Sequence, residues 1–417
     1  MTKVDLNDRL KFSFSDLISH IIFLMLLTYL LIDTINGALL RAGLMSISLI
    51  WKLLMLSLMF AFFIHSKIVI AVLSFLVFYH MMHVYIIGDV VSASIGLVWL
   101  IKFLLLFMSY LFIADCLNRG MHDWLFKIAN AVFLFLAANI VLGLFGFGYA
   151  QYGEGREIEI GVRGFIFAGN EMGAALVAAS SLILMRLTEQ RRFGLFLLAG
   201  SFIVLLSAAL TSKVSILASF LMLGVFPLIR LSRQLRFLQL ANQDAWFASI
   251  LLIVLPLLIF GGLYYALYVA NLIERLSYMY QKLDLVTLIF SHRNIWAEQA
   301  LHLFWNDFTP LEQLFGRGDT WIAMMPDTKT VEIDLIDFLM SYGLLGVLLT
   351  YGFWLFVIAR FIWSKNNPYL GYGLFMTLIF LAMSLTAGHV FNSGTAAPII
   401  GALLALSHYQ APLENQK

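Results

Sequence analysis

Apolar runs of about twenty residues, the length a helix needs to cross bilayer hydrocarbon, follow one another along most of the chain. They restrict the fold more than any other feature. In lipid every backbone N–H and C=O needs an internal partner, so only helices and closed barrels span it. Barrel strands would read as short segments alternating apolar and polar, whereas these runs are continuous. With 62% hydrophobic and 12% charged residues, the composition lies far from that of water-soluble domains. The chain reads as an all-α polytopic membrane protein.

About twelve spans are expected, near 16–33, 43–63, 68–88, 92–114, 124–147, 165–185, 194–211, 214–230, 247–270, 335–361, 369–387 and 390–407. If they simply alternate, Lys3, Arg9, Lys11, Lys67, Arg119, Arg186, Arg191, Arg192, Arg230, Arg233, Arg236, Arg360 and Lys365 all fall on one side. By the positive-inside rule that side is the cytoplasm, with both termini in it. Lys3, Arg9 and Lys11 ahead of the first apolar run read as a retained signal anchor. The organisation expected is nine spans over 1–270 with an outer loop at about 148–164, a large outer loop with amphipathic helices over 271–332, and three spans over 333–417. No internal repeat is evident. The halves also lack paired, glycine- or proline-broken spans, which argues against an inverted-repeat transporter. A lone cysteine, Cys116, excludes an intramolecular disulfide framework and a thiolate metal cage.

The outer side nevertheless carries arginines: Arg156 and Arg163 in the first loop, then Arg275, Arg293 and Arg317 in the second. A guanidinium is a planar fork that grips phosphate at two points. Nearby acids (Glu154, Glu157, Glu159, Glu274, Asp307 and Asp319) offer ordinary surface pairing instead. In Gly161-Val-Arg-Gly-Phe-Ile-Phe-Ala-Gly-Asn-Glu-Met-Gly173 a glycine-rich approach leads into an apolar helix. Its start offers free N–H groups to an anion. Asn170 and Glu171 sit at that start, and Glu171 is expected to face a wet cavity or an arginine rather than lipid. Ser291 is placed to cap a helix from His292 to about Phe304, with Ile295, Trp296, Ala300, Leu303 and Phe304 on its apolar side. Arg317 lies in a turn, Phe315-Gly-Arg-Gly318.

The second loop ends on Glu332, Asp334 and Asp337 at the mouth of the next span, and the last two share a helix face. Acids there are costly unless they face a polar cleft. One of them is suited to act as general base toward a sugar hydroxyl, or to fix the arginines. His80 and His83 offer two metal-type ligands without an evident third, and Lys52 and Lys102 stand inside apolar spans, where they snorkel or pair. His389 and Asn392 stand at an outer helix end. No metal, cofactor or nucleic-acid contact is expected.

Arg163-Gly-Phe-Ile-Phe-Ala-Gly-Asn-Glu-Met-Gly173, Ser291-His-Arg-Asn-Ile-Trp296, Phe315-Gly-Arg-Gly318 and Glu332-Ile-Asp-Leu-Ile-Asp-Phe-Leu-Met-Ser-Tyr-Gly-Leu-Leu-Gly346, in this order, resemble the O-antigen polymerase and O-antigen ligase superfamily. The resemblance covers about 150–350 and includes the span count and the large outer loop. It implies a metal-independent membrane glycosyltransferase of the GT-C type in a bacterial inner membrane, with a periplasmic active site. Such an enzyme takes a glycan from undecaprenyl diphosphate, so the partners implied are a carrier-linked oligosaccharide, membrane lipids and a chain-length regulator. Arg163 and Arg293, with Arg317, would bind the diphosphate; Glu332 or Asp334 would be the catalytic carboxylate, supported by Asn170, Glu171 and Asp337. Ligases of this pattern have a histidine where Glu332 stands, eleven residues before Gly343. The acid-rich form resembles polymerases, with a ligase and a lipid-linked oligosaccharide flippase as alternatives.

Overall fold

The apolar runs form helices. The structure, a computed structural model, describes residues 14–152, 160–167, 169–236, 287, 290, 292–364, 366–388, 390, 391 and 393–410. The expected span 247–270 lies outside them, as do Lys3, Arg9, Lys11, Arg156, Arg275, Ser291, Lys365, His389, Asn392 and the side chain of Asn170. Eight helices come first: α1 (Phe14–Arg41), α2 (Ser48–Phe62), α3 (Lys67–Ile87), α4 (Val90–Asn118), α5 (His122–Leu144), α6 (Gly169–Glu189), α7 (Phe193–Ala209) and α8 (Lys213–Arg236). Then follow α9 (Arg293–Asn306), α10 (Pro310–Phe315), α11 (Asp334–Trp363), α12 (Leu370–Thr386) and α13 (Ala397–Leu404).

Among the described residues seven helices (α1, α3, α4, α5, α6, α8 and α11) are long and apolar enough to cross a membrane. Four shorter apolar helices correspond to other expected spans: α2, α7, α12, and α13 with the 3-10 turn Ala405–His408 that follows it. Helix α2 has 15 residues. At a rise of about 1.5 Å per residue it reaches only about 22 Å, short of the roughly 30 Å hydrocarbon core. The all-α expectation needs one amendment. Strand β1 (Tyr149–Tyr152) pairs antiparallel with β2 (Ile160–Gly164), Ala150 opposite Val162, so the loop expected on the outer side carries a strand pair.

Helix ends follow local chemistry. Gly88, at φ +73°, closes α3, as a residue without Cβ can do at little cost. The Asp89 carboxylate accepts the N–H groups of Val91 at 3.3 Å and Ser92 at 2.8 Å, capping the start of α4. Thr309 and Glu312 form a reciprocal capping box at the start of α10. Pro310 sits in the first turn there, where its missing N–H costs nothing. The main core lies between spans: α13 packs on α4 and α6, and α5 packs on α1 and α6.

A second core lies under the segment from 293 to 333, hereafter the island. Ala300, Phe304, Trp321, Val331 and Met340 are buried together there, seating α9 on the first half of α11. The amphipathic side expected for α9 is right at Ala300 and Phe304, but Ile295 is exposed. The helix opens at Arg293 from a left-handed His292 (φ +71°) with no side-chain cap, not from Ser291.

The island is locked to α11 by two glycines. A Cβ on Gly316 would sit 2.3 Å from the Ser341 backbone, and one on Gly343 2.4 Å from the Leu314 backbone. Gly343 has φ +65° and ψ −168°, a region essentially confined to glycine. It breaks α11 where the chain end of α10 crosses it. The hairpin lies against the same end of the bundle: Tyr149 donates its O–H to Gly37 O at 2.9 Å, and Phe165 N–H binds Asn139 Oδ1 at 3.1 Å.

Candidate functional site

The link between α12 and α13, residues 387–396, gathers acidic side chains from three helices. It was expected to be the start of a span. Its composition explains the difference: Gly388, Ser393, Gly394 and Thr395 favour turns, and Pro398 sits in the first turn of α13. Asp334, fully buried on α11, accepts the N–H groups of Val390 at 2.9 Å and Phe391 at 3.1 Å through one oxygen. Glu171 on α6 accepts the Ser393 hydroxyl at 2.7 Å and the Thr395 N–H at 3.1 Å. Asp33 on α1 accepts the Thr395 hydroxyl at 3.1 Å. Gly388 backs onto Glu332, whose carbonyl oxygen a Cβ there would meet at 2.5 Å.

Glu332 itself stands just before α11 with φ +60°, a left-handed backbone unusual for a residue with a Cβ. Its carboxylate receives the Arg293 guanidinium at 2.6 Å, so two residues singled out separately in the sequence form one ion pair. Asp337 fixes the approach to that pair. Buried and one turn into α11, it accepts Val331 N–H at 2.9 Å and Glu332 N–H at 3.1 Å. Asp334 and Asp337 therefore face backbone donors rather than an open cleft. The Glu332 side chain is 35% exposed, and the Arg293 guanidinium bonds Oε2, leaving Oε1 without a hydrogen bond among the described residues.

Arg317 is held on the island, 3.2 Å from Glu312 and over the Phe308 ring at 5.8 Å. Beside it the 3-10 turn Gly318–Met324 lies on α4, the Gly318 backbone crossing where Gly96 has no Cβ to obstruct it. Asp319 on this turn has one buried oxygen without a hydrogen bond among the described residues. Burial holds its carboxyl above the usual aspartate range, with Lys102 pulling the other way. His83 is engaged without any metal-like grouping: Nε2 lies 2.7 Å from Phe315 O and the ring stacks on Tyr342. Among the described residues no three His, Cys, Asp or Glu side chains gather as metal ligands.

Arg163, on β2, bonds the carbonyl of Phe167 and lies over the rings of Tyr149 at 5.2 Å and Phe167 at 5.5 Å, where each ring face attracts the cation. Arg41, the last residue of α1, covers the same Tyr149 ring at 5.4 Å. Below them a cleft of about 240 Å³ opens between α1, α2, α4, α6 and the 387–396 link, lined by Asp33, Lys52, Lys102, Glu171, Phe167 and Gly394 among others. Lys52 grips both oxygens of Asp33, at 2.8 and 2.9 Å, and Lys102 faces Glu171 at 3.8 Å. So Glu171 does face a cavity, and its cationic partner is a lysine.

A separate, apolar groove of about 340 Å³ runs between α3, α4 and α11, lined by Phe75, Tyr79, Phe103, Phe107, Phe338 and Phe353 among others. Its island end is closed by the Tyr79 hydroxyl, which donates to Phe315 O at 2.8 Å.

The structure thus joins Arg293 to Glu332 and Asp337, and Glu171 to Asp334 through the 387–396 link. It leaves Arg163 and Arg317 each on partners of its own. The sequence reading missed Asp33 and Arg41, although an acid inside the first apolar run is a signal in itself. Comparison with known proteins finds no matching family model, no similar curated protein and no similar solved structure.

Proposed function

We propose that this chain is a bacterial inner-membrane glycosyltransferase that polymerises surface polysaccharide, with about twelve spans, a GT-C type architecture, cytoplasmic termini and its island in the periplasm. The observation that carries the reading is the Arg293–Glu332 pair. Asp334, Asp337 and Glu171 commit oxygens to neighbouring N–H or hydroxyl donors, Asp33 is chelated by Lys52, and Glu312 by its cap and Arg317. Glu332 keeps one oxygen without a hydrogen bond among the described residues, beside a cation. Two left-handed residues, His292 and Glu332, hold the pair, and such strain gathers where a site must be preorganised.

In this reading the acceptor's sugar hydroxyl attacks the anomeric carbon of the carrier-linked glycan. The new C–O bond forms as the bond to diphosphate breaks; the diphosphate leaves with the electron pair and the hydroxyl proton passes to Glu332. Arg293, with Arg163 and Arg317 along the same face, neutralises the charge that grows on the leaving oxygen. Asp337 serves as a positioning residue that fixes the turn carrying Glu332, and Asp334 anchors the 387–396 link, whose Gly388 backs onto Glu332. The groove between α3, α4 and α11 supports a lipid-borne substrate, because it offers aromatic and aliphatic walls to a polyprenyl chain.

Purified protein incubated with defined undecaprenyl-diphosphate-linked repeat units should lengthen chains without lipid A–core. Activity that requires core acceptor would make it a ligase, and translocation without glycosidic bond formation would make it a flippase. Chain lengthening unchanged in both Arg293→Ala and Glu332→Gln would remove this site.

A further inference from the structure

Arg41 closes α1 and is exposed, and its guanidinium lies over the Tyr149 ring, 5.4 Å from the centroid. Arg163 lies over the same ring at 5.2 Å. A ring face attracts each cation but neutralises neither, so the two repel one another until an anion binds. No acid meets Arg41 among the described residues. The acids of the cleft below are committed elsewhere. Asp33, two turns earlier on α1, is held by Lys52, Ser48 and Thr395. Glu171 is held by Ser393 and Thr395 and faces Lys102.

Local packing aims Arg41 at the strand pair. Gly37 and Arg41 are four apart and share a face of α1. At Gly37 that face meets the strands: the Tyr149 hydroxyl donates to Gly37 O at 2.9 Å, and a Cβ on Gly37 would sit 1.5 Å from Phe165 O. Arg41 extends the same face by one turn. Tyr149 is itself buried, its ring edge-on to Phe167 at 5.7 Å. The end of β2 is fixed to α5, because Gly164 (φ +60°) lies against the Asn139 backbone and Phe165 N–H binds Asn139 Oδ1. Both guanidiniums therefore stand on a fixed platform, which leaves less ordering for binding to impose.

Stacking occupies the flat face of a guanidinium and leaves its N–H edge to oxyanions. Both guanidiniums lie within 5.4 Å of one ring centre, a separation that the two phosphoryl groups of a diphosphate bridge. A diphosphate joining a lipid to a glycan has one negative charge on each phosphoryl group, one for each guanidinium.

We propose that Arg41 is a diphosphate-binding residue, gripping the lipid carrier's diphosphate together with Arg163 where α1 meets the β1–β2 pair. This rests on the polymerase reading, which assigns Arg163 to that group and gives Arg41 no role.

The test is direct binding to full-length protein in nanodiscs of neutral lipid, with empty nanodiscs as the blank. The probes are geranylgeranyl diphosphate, uncharged geranylgeraniol and inorganic pyrophosphate. Arg41→Gln should weaken binding of the prenyl diphosphate on the order of tenfold or more, the loss of one charge-assisted contact. It should leave geranylgeraniol binding unchanged, which damage to the fold would not. Arg41→Lys, which keeps the charge without the fork, should weaken it less, and Arg163→Gln should match Arg41→Gln. Arg192→Gln, beyond the far end of α6, should bind as wild type does. Unchanged diphosphate binding in Arg41→Gln or in Arg163→Gln overturns the shared grip. So does a wild type that binds neither charged probe, or an Arg41→Gln variant that loses geranylgeraniol equally. Pyrophosphate bound as tightly as the prenyl diphosphate would make the ligand a soluble one and overturn the carrier assignment. No sugar or turnover enters the assay, so protein that binds as expected but fails to lengthen chains would lose only the polymerase reading.

Discussion

Replacing Asp334 separates an anchoring role from a catalytic one. Its buried carboxylate accepts two N–H groups, from Val390 and Phe391, through the same oxygen. Asparagine keeps an acceptor oxygen in that place, whereas alanine removes it. Hydrogen bonds to a charged group contribute roughly 1.5–3 kcal/mol each, and a buried donor left unpaired loses comparable energy. Relief of repulsion from Asp337, three residues on, offsets part of the loss. Asp334→Ala should therefore cost about 3–5 kcal/mol and Asp334→Asn about 1–2 kcal/mol. The cost concentrates in the 387–396 link, so amide hydrogen exchange is the sharper readout. Protection at Val390 and Phe391 should fall by about a hundredfold or more in the alanine variant, and far less in the asparagine variant. Chain-lengthening activity should follow the same order, asparagine retaining most of it. If Asn and Ala variants exchange alike at both amides, the anchoring role is wrong. If asparagine keeps the amides protected but abolishes lengthening, Asp334 is the base and Glu332 is not.

Glu332→Gln preserves a contact to Arg293 while removing the proton acceptor, and should lower the lengthening rate on the order of a hundredfold or more with an unchanged thermal midpoint; a rate within twofold of wild type would contradict its role. At the same position Gly should be more stable than Ala by about 1 kcal/mol, because Glu332 holds φ +60°; thermal unfolding of the two variants side by side tests this. Gly343→Ala should destabilise by about 2–4 kcal/mol, since its Cβ would meet the Leu314 carbonyl at 2.4 Å and its backbone is left-handed. A stable variant with the island still docked would refute the crossing. Asp319 holds its proton to a higher pH folded than unfolded, mainly through burial. Its contribution to stability is thus fully present below the unfolded pKa of about 4 and is lost as pH rises through the folded value. Asp319→Asn should remove that slope in melts taken from about pH 4 to 7, and an unaltered slope would show that another group causes it.

The helices were legible because lipid leaves a chain few alternatives: a run of about twenty apolar residues has to satisfy its backbone internally. Boundaries were less so. The run at 390–407 is apolar enough to pass as a span, but Ser393, Gly394 and Thr395 leave its first third a link, α13 starting only at Ala397, and hydropathy averages over that difference. The hairpin 149–164 escaped notice for a similar reason, its strands being only 4 and 5 residues long.

The site divides along another line. Glu332, Asp334, Asp337, Glu171 and Arg293 stood out because a charge beside or inside hydrocarbon needs a reason. What each charge does depends on what packs against it, and spacing cannot supply that. Asp334 and Asp337 share a helix face and look equivalent in sequence, yet one holds the link to α13 and the other the turn before α11. Lys102 and Glu171 are far apart in the chain and meet only because α4 and α6 both pack on α13. The same reasoning sets a limit on the arginines. Arg293 and Arg317 each meet a carboxylate on their own island, so outer-face position alone did not distinguish a guanidinium free to take phosphate from one that fixes a loop. Arg41 was the one to notice: it ends α1, and the structure leaves it stacked on Tyr149 with no acid beside it among the described residues.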